Sequence, residues 1–415
     1  MTHATAPVGG KILTKPMMVL LGFVALAVVL LIWRFIAGLG ITAMSDRYPW
    51  GIWIAYDVVT GTALACGGYA VAILVYILNK GRYHPLVRSA IVTSALGYTL
   101  GGMSVVVDLG RWWNVWRVII EFWNWNFNSI LLEVALCIML YTLVLWIELS
   151  PAFLERAKTA GNQRLRNFAE ATLPPLEKAM PFIIALGLLL PTMHQSSLGS
   201  LMLLAGTKVH ALWQTPLLPL LFLISVVAMG YGAVVIESTL STKYFKRPSE
   251  TVILYRLARV VAPINVGYVV LRLFDLAMRG DFGLIFTSGG FSLLFLLEIA
   301  LFLTPAFLVY TKQGARAGTL FRIGMMVLLA GGLYRFSTFL IAFRPADGWV
   351  YFPSVVEILI TAGVIAGEIA AYIAIVKTFP ILSAPAPARP KVRPVPEDML
   401  KHIGISPAAS HGGAD

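Results

Sequence analysis

Charge is what this 415-residue sequence most lacks. Only 13% of its residues are Asp, Glu, Lys or Arg, while 58% are hydrophobic. A soluble domain carries roughly 25% charged residues. At half that share, a chain of this length cannot cover a water-facing surface, and a soluble multidomain enzyme is excluded. Acidic residues are scarcer than basic ones, so the formal net charge is +12. The apolar runs described below place the chain in a bilayer. The surplus Lys and Arg then act as topology determinants, and no nucleic-acid partner is expected.

Cysteine is almost absent. Cys66 and Cys137 both lie inside apolar runs. An iron–sulfur cluster takes about four thiolates, a structural zinc site takes paired cysteines, and a disulfide framework needs more of them. Histidine is scarce too. His3, His402 and His411 fall in tails, His84 and His210 in loops, and only His194 at membrane depth. Bis-histidine haem ligation needs two facing imidazoles, so neither haem nor an iron–sulfur cluster is expected on this chain.

What is present in quantity is hydrophobic sequence. A helix that crosses a bilayer needs about 20 mostly apolar residues. Ten stretches qualify: Met17–Gly38, Gly51–Leu78, Ser89–Val107, Phe127–Glu148, Ala179–Met193, Pro216–Leu240, Val252–Ala277, Leu284–Tyr310, Gly318–Phe343 and Ser354–Val376. The first exceeds the length of a signal-peptide core and reads as an uncleaved span. The fold class is therefore all-α, a polytopic membrane protein. It comprises an amino-terminal segment over 1–16, a ten-helix domain over 17–379 and a Pro-rich tail over 380–415, expected to be disordered. Alternate loops divide sharply in charge. Those on the side of the two termini hold 20 Lys and Arg, the opposite loops 6. The positive-inside rule puts both termini in the cytoplasm. The outer loop from Asp108 to Asn126 holds Trp112, Trp113, Trp116, Trp123 and Trp125. It suits an interfacial aromatic belt or a docking surface.

Ionisable side chains inside spans are costly and are functional candidates by default. Tyr98 lies about midway along the third span. Glu133 lies near the outer end of the fourth, where it is not a helix cap. The spans are antiparallel neighbours, so the two side chains could meet. Glu133 suits proton exchange with a quinone; its structural alternative is a hydrogen bond to a neighbouring helix. Tyr98 reads equally well as a packed core aromatic. The run from Pro191 to Ser200 interrupts an apolar stretch and reads as a broken helix lining a cavity. His194 within it could donate to a quinone carbonyl, although a plain helix end would also fit. Glu237, Glu298 and Glu368 are candidates for a proton path from the cytoplasm. Glu357 belongs to a capping box, Ser354-Val355-Val356-Glu357. Asp108 with Arg111, and Arg272 with Asp275, read as local pairs, and the first pair sits where a quinone pocket could open outward. Arg335 is expected to pair with a buried glutamate.

Several segments carry a resemblance. They are Gly9-Gly10-Lys11-Ile12, Pro49-Trp50-Gly51-Ile52-Trp53-Ile54-Ala55, Ala65-Cys66-Gly67-Gly68, Tyr83-His84-Pro85-Leu86-Val87-Arg88, Leu190-Pro191-Thr192-Met193-His194-Gln195-Ser196-Ser197 and Tyr351-Phe352-Pro353. Over nearly its whole length the chain resembles the polysulfide reductase/NrfD-type membrane subunits, in particular those of hydrogenase-2-type nickel–iron uptake hydrogenases. The resemblance implies two central four-helix bundles with flanking helices and a quinone site, for menaquinone in the first instance, toward the periplasm. It also implies partners there: a ferredoxin-like iron–sulfur subunit and the small and large subunits of a nickel–iron hydrogenase. By position, Tyr98, Glu133, His194 and Glu237 match polar residues linked in that subfamily to quinone chemistry and proton transfer. The "cytochrome" label such subunits often bear finds no support in the histidine pattern. Two other readings remain open. One is the membrane quinol/quinone subunit of a molybdenum oxidoreductase, the other a secondary transporter, whose broken helices and buried carboxylates look similar.

Overall fold

The computed structural model describes residues 5–45, 48, 50–345 and 350–382. Pro49 and most of the Pro-rich tail lie outside the described residues. Among the described residues ten helices are long and apolar enough to cross a membrane: α1 (Lys15–Ile41), α2 (Trp53–Ile77), α3 (Gly81–Asp108), α4 (Ile130–Lys158), α5 (Gln163–Lys208), α6 (Leu218–Tyr244), α7 (Thr251–Met278), α8 (Gly290–Leu308), α9 (Ala317–Ile341) and α10 (Val355–Thr378). All ten expected spans are present. Among the described residues there is no β-strand, only isolated bridges at Ser45–Tyr48 and Val209–Phe343. This is what lipid demands, because a helix satisfies its own backbone and an open sheet edge does not.

The bundle has an aromatic end, where the segment between α3 and α4 lies, and a basic end, where α4 meets α5. Helices α2 to α5 pack as one group and α6 to α9 as another, joined through α2 against α6, α5 against α6, and α2 against α9. Helices α1 and α10 pair with each other and lean on α3. Burial follows from these positions: 78% of the apolar window of α2 is inside the protein, against 11% for α1. Hence α2 is the central post, and α1 turns most of its surface to lipid.

Small residues permit a close crossing of α2 and α6. A Cβ on Gly230 of α6 would stand 2.5 Å from the Cys66 carbonyl of α2, and one on Gly67 would meet Val234 at 3.1 Å. Neither position has room for a side chain, as expected where membrane helices touch backbone to backbone.

The two groups of four are repeats in the same up–down sense. Trp50, Val59, Thr62 and Gly67 of the α2 region correspond in spacing to Trp213, Phe222, Ser225 and Gly230 around α6. Gly97-Tyr98 corresponds to Gly267-Tyr268, and His194-Gln195-Ser196-Ser197 to Tyr334-Arg335-Phe336-Ser337. The ring contacts repeat as well: Tyr98 meets His194 edge-on at 5.6 Å, and Tyr268 meets Tyr334 edge-on at 5.5 Å.

Helix α5 corrects one expectation. The run from Pro191 to Ser200 does not break it; a continuous α-helix runs from Gln163 to Ala205, through Pro174, Pro175, Pro181 and Pro191. The hydroxyl side chains of the run are satisfied within the helix. Thr192 donates to the Leu188 carbonyl at 2.8 Å, Ser197 to that of Met193 at 2.7 Å and Ser200 to that of Ser196 at 3.1 Å. Hydroxyls bonded back to their own helix can be carried at membrane depth without unwinding it. The irregular spans are instead α2, which contains wide π turns at Trp53–Thr60 and Ile73–Ile77, and α9, which ends in one at Ser337–Ile341. Such turns cluster at functional positions.

Candidate functional site

The first polar centre lies where the two groups of helices meet. His194 and Gln195 of α5 are both fully buried. His194 Nε2 is 3.3 Å from Thr62 Oγ1 of α2. Gln195 Nε2 donates to Thr62 at 3.1 Å and to the Tyr98 hydroxyl of α3 at 3.4 Å, and that hydroxyl lies 3.3 Å from Cys66 Sγ. The Gln195 carbonyl oxygen accepts from Arg335 of α9 at 3.0 Å. The other His194 nitrogen, Nδ1, is buried without a partner. Four helices thus converge on one imidazole, with one ring nitrogen left to engage something else.

Arg335 differs from its expectation. It pairs with no carboxylate among the described residues. Its guanidinium donates to the Val59 and Phe222 carbonyls at 3.1 and 3.2 Å and to Ser225 at 2.8 Å, and it lies over the Phe222 ring at 4.7 Å. The sequence repeat explains this. Gln195 and Arg335 hold equivalent places, as do Thr62 and Ser225, so each binds the hydroxyl of its own repeat, and the two then bind each other. A buried cation answered only by dipoles is expensive.

The second polar centre lies among α7, α8 and α9. Glu298 accepts from Trp213 Nε1 at 2.8 Å and from the Tyr268 hydroxyl at 3.0 Å, and it lies 3.7 Å from the Arg272 guanidinium. The expected pairing of Arg272 with Asp275 is not formed: Asp275 accepts instead from Arg279 at 3.0 Å and Thr215 at 2.8 Å. Three residues along α7 bring Arg272 round to α8, whereas four bring Arg279 back over Asp275. Asn265 and the Tyr334 hydroxyl are buried nearby without partners.

The other sequence candidates are dispersed. Glu133 stands in the first turn of α4, after the Ser129 cap. It is half-buried, makes no side-chain hydrogen bond among the described residues and has Cys137 as an ionisable neighbour, so it does not join Tyr98 and His194. Asp108, at the end of α3, turns toward Arg34 of α1 and Gly51 rather than toward Arg111, which is exposed. The expected Asp108–Arg111 pair is therefore absent among the described residues. Glu237 accepts from Tyr372 of α10, on a different side of α6 from Glu298, and Glu357 forms its capping box. Asp57, taken by Ser104 and Thr361 at 3.2 and 3.3 Å, was not singled out in the sequence. It sits in an apolar run with no local partner, and its partners come from α3 and α10.

At the aromatic end, outside the spans, burial and then Arg344 hold the His210 imidazole below its ordinary pKa. Burial pushes the Tyr48 phenol up to about 12. Both side chains are thus neutral near pH 7 and serve packing: His210 lies 4.5 Å from Phe291, and Tyr48 donates to the Leu340 and Phe343 carbonyls. The segment between α3 and α4 presents an apolar surface, with Trp113, Trp116, Ile119, Phe122, Trp123 and Phe127 exposed.

A bis-histidine haem does not fit these residues. No second histidine faces His194 among the described residues, and the Nε2 side of the ring is taken up by Thr62.

The chain is 39% identical over 387 residues to the probable Ni/Fe-hydrogenase 2 b-type cytochrome subunit of Escherichia coli, covering 92% of this chain and 96% of that protein. It is 32% identical over 164 residues to the menaquinone reductase integral membrane subunit of Nitratidesulfovibrio vulgaris, covering 40% of this chain and 37% of that one. A profile described as polysulphide reductase, NrfD matches residues 40–343, taking in α2 through α9. With that match over most of the chain and a relative covered over 96% of its length, the chain is a membrane subunit of the NrfD family.

Proposed function

We propose that this subunit passes electrons from hydrogen oxidation to a membrane quinone, menaquinone in the first instance. In this reading the aromatic end faces the periplasm and both termini face the cytoplasm. The exposed tryptophans receive an iron–sulfur subunit there, which links a nickel–iron hydrogenase core to the membrane. The observation that carries the proposal is the polar centre around His194. A buried imidazole with one free nitrogen, braced by Thr62, Gln195 and Tyr98, can hydrogen-bond a quinone oxygen and exchange a proton with it. The relatives named as hydrogenase and menaquinone reductase subunits support the partner and the acceptor.

Reduction of a quinone takes two electrons from the partner and two protons. His194 and Glu133 are assigned to deliver the protons, and Tyr98 positions the ring through Gln195. Asp108 and Arg111 lie at the aromatic mouth, where Arg111 is open to solvent. Glu237 and Glu298 are the membrane-embedded carboxylates assigned to proton supply, Glu237 nearest the basic end and Glu298 held in its Arg272 network. The test is quinone-dependent hydrogen oxidation in membranes. Glu133→Gln and His194→Ala are each expected to lower it about 10²-fold, the scale of a lost general acid. Wild-type rates in both would refute the site assignment. Purification separates the transporter reading, which expects a chain that comes out alone; co-purification of a cluster-bearing subunit is expected here.

A further inference from the structure

Helix α10 carries Glu357, Thr361, Glu368 and Tyr372. At about 100° per residue these lie within roughly 60° of one another, on a single face. From Glu357 to Tyr372 the line covers about 22 Å, most of the roughly 30 Å hydrocarbon layer. That face meets α2, α3 and α6. At the aromatic end Glu357 accepts from the Tyr351 hydroxyl at 2.6 Å and from the Ala43 amide at 2.8 Å. One turn on, Thr361 donates to Asp57 of α2, whose same oxygen takes Ser104 of α3. Glu368 lies against α3, its Oε1 3.3 Å from where a Cβ on Gly97 would be, and its carboxyl makes no hydrogen bond to the described residues. Tyr372 donates to Glu237 of α6.

Two observations separate this line from ordinary packing. Buried carboxyl oxygens without partners stand at both ends: Glu237 Oε2 toward the basic end and Asp108 Oδ1 toward the aromatic end. In addition, α10 lies beyond the residues the family profile matches, yet it supplies a partner to Asp57 and one to Glu237 inside that core. A helix added only to widen the bundle would bury apolar side chains there, because carboxylates at this depth are costly.

We propose that the face between α10 and α3 is a proton wire leading from water at the basic end through Glu237, Tyr372 and Glu368 to Asp57, and from there to the reduced quinone. The acceptor rests on the quinone reading above; the wire itself does not. At each step an O–H bond breaks on one group as another forms on the next. Tyr372 and Thr361 give up their own proton as they accept the one behind. Water bridges the two helical turns between Thr361 and Glu368. Two protons pass for each two electrons that the partner delivers, so quinone reduction draws its protons from the basic-end side.

Two measurements test this on the purified complex. In infrared spectra, carboxyl bands are expected to move to lower frequency when D2O replaces H2O, one being lost in Glu368→Gln and another in Asp57→Asn. Bands that fail to exchange, or that survive both substitutions in a complex of wild-type thermal stability, would overturn the wire. In proteoliposomes, Glu368→Gln is expected to slow proton uptake from the basic-end side, and quinone reduction with it, at least about tenfold. KM for quinone should stay unchanged, and Glu368→Asp should restore part of the rate. Wild-type uptake in Glu368→Gln would overturn the proposal. If the wild-type complex reduces no quinone, the functional reading falls, and the infrared result still decides the wire.

Discussion

Arg335→Met separates function from architecture at the centre of the molecule. The guanidinium makes four hydrogen bonds to oxygen, at 2.8 to 3.2 Å, to Val59, Ser225, Phe222 and Gln195. Inside membranes such bonds average about 0.6 kcal/mol each, so their loss costs about 2.4 kcal/mol. Two of the acceptors keep other partners, because Ser225 donates to the Phe222 carbonyl at 3.0 Å. Against this stands a buried cation with no carboxylate among its partners, whose desolvation costs several kcal/mol and which methionine removes. The two effects nearly cancel, and the thermal midpoint is expected to move by only a few degrees. Activity should behave otherwise. A fixed positive charge near a quinone that gains electrons stabilises the developing oxyanion, and loss of one such donor costs about 10² to 10³ in rate. The assay is hydrogen-dependent quinone reduction by the purified complex, read beside its melting curve. A complex that melts far earlier and loses activity in proportion would mark Arg335 as a brace only. Full activity would remove the reaction from this centre.

Further outcomes follow from the packing and the caps. Gly230→Ala puts a methyl group against the Cys66 carbonyl; overpacking of this kind should destabilise the chain by about 1–3 kcal/mol, seen as a lower melting temperature in detergent. Ser354→Ala removes the capping box of α10 and should cost about 1 kcal/mol. His210 is held neutral in the fold, while the unfolded chain takes up a proton at about pH 6.5. The unfolded state therefore gains stability as pH falls below that value. His210→Phe, which keeps the ring contact with Phe291, should flatten this acid-side loss in thermal scans. Glu298→Gln leaves Arg272 without its carboxylate and should destabilise by about 3 kcal/mol or more; a variant as stable as wild type would show that the 3.7 Å pair contributes little.

The ten spans were legible because lipid imposes one requirement on every stretch, namely length of apolar sequence. Span ends shifted by a few residues in most helices. The large miss was α5: Pro191 and the serines after it look like a break, but the hydroxyls close onto their own helix. The site was legible only residue by residue. His194 and Tyr98 stood out as polar groups at depth, and they do meet. Glu133 met the same criterion and stays apart, because depth along a helix does not say which way a side chain faces. Arg335, Gln195 and Asp57 owe their settings to partners more than 45 residues away, and spacing along one helix carries no trace of that. A usable signal was present in the repeat that sets Gln195 opposite Arg335.

That repeat bears on how such a molecule could arise. If a four-helix ancestor paired with its own copy, each partner presented the same residue at the shared joint, amide to amide or cation to cation. Two guanidinium groups would repel there, and two amides would leave the halves interchangeable. An amide on one half and a guanidinium on the other gives the joint a donor side and an acceptor side. Ancestry of this kind would leave one half free to keep its imidazole while the other filled the matching place with a phenol, dividing labour between twins that began alike.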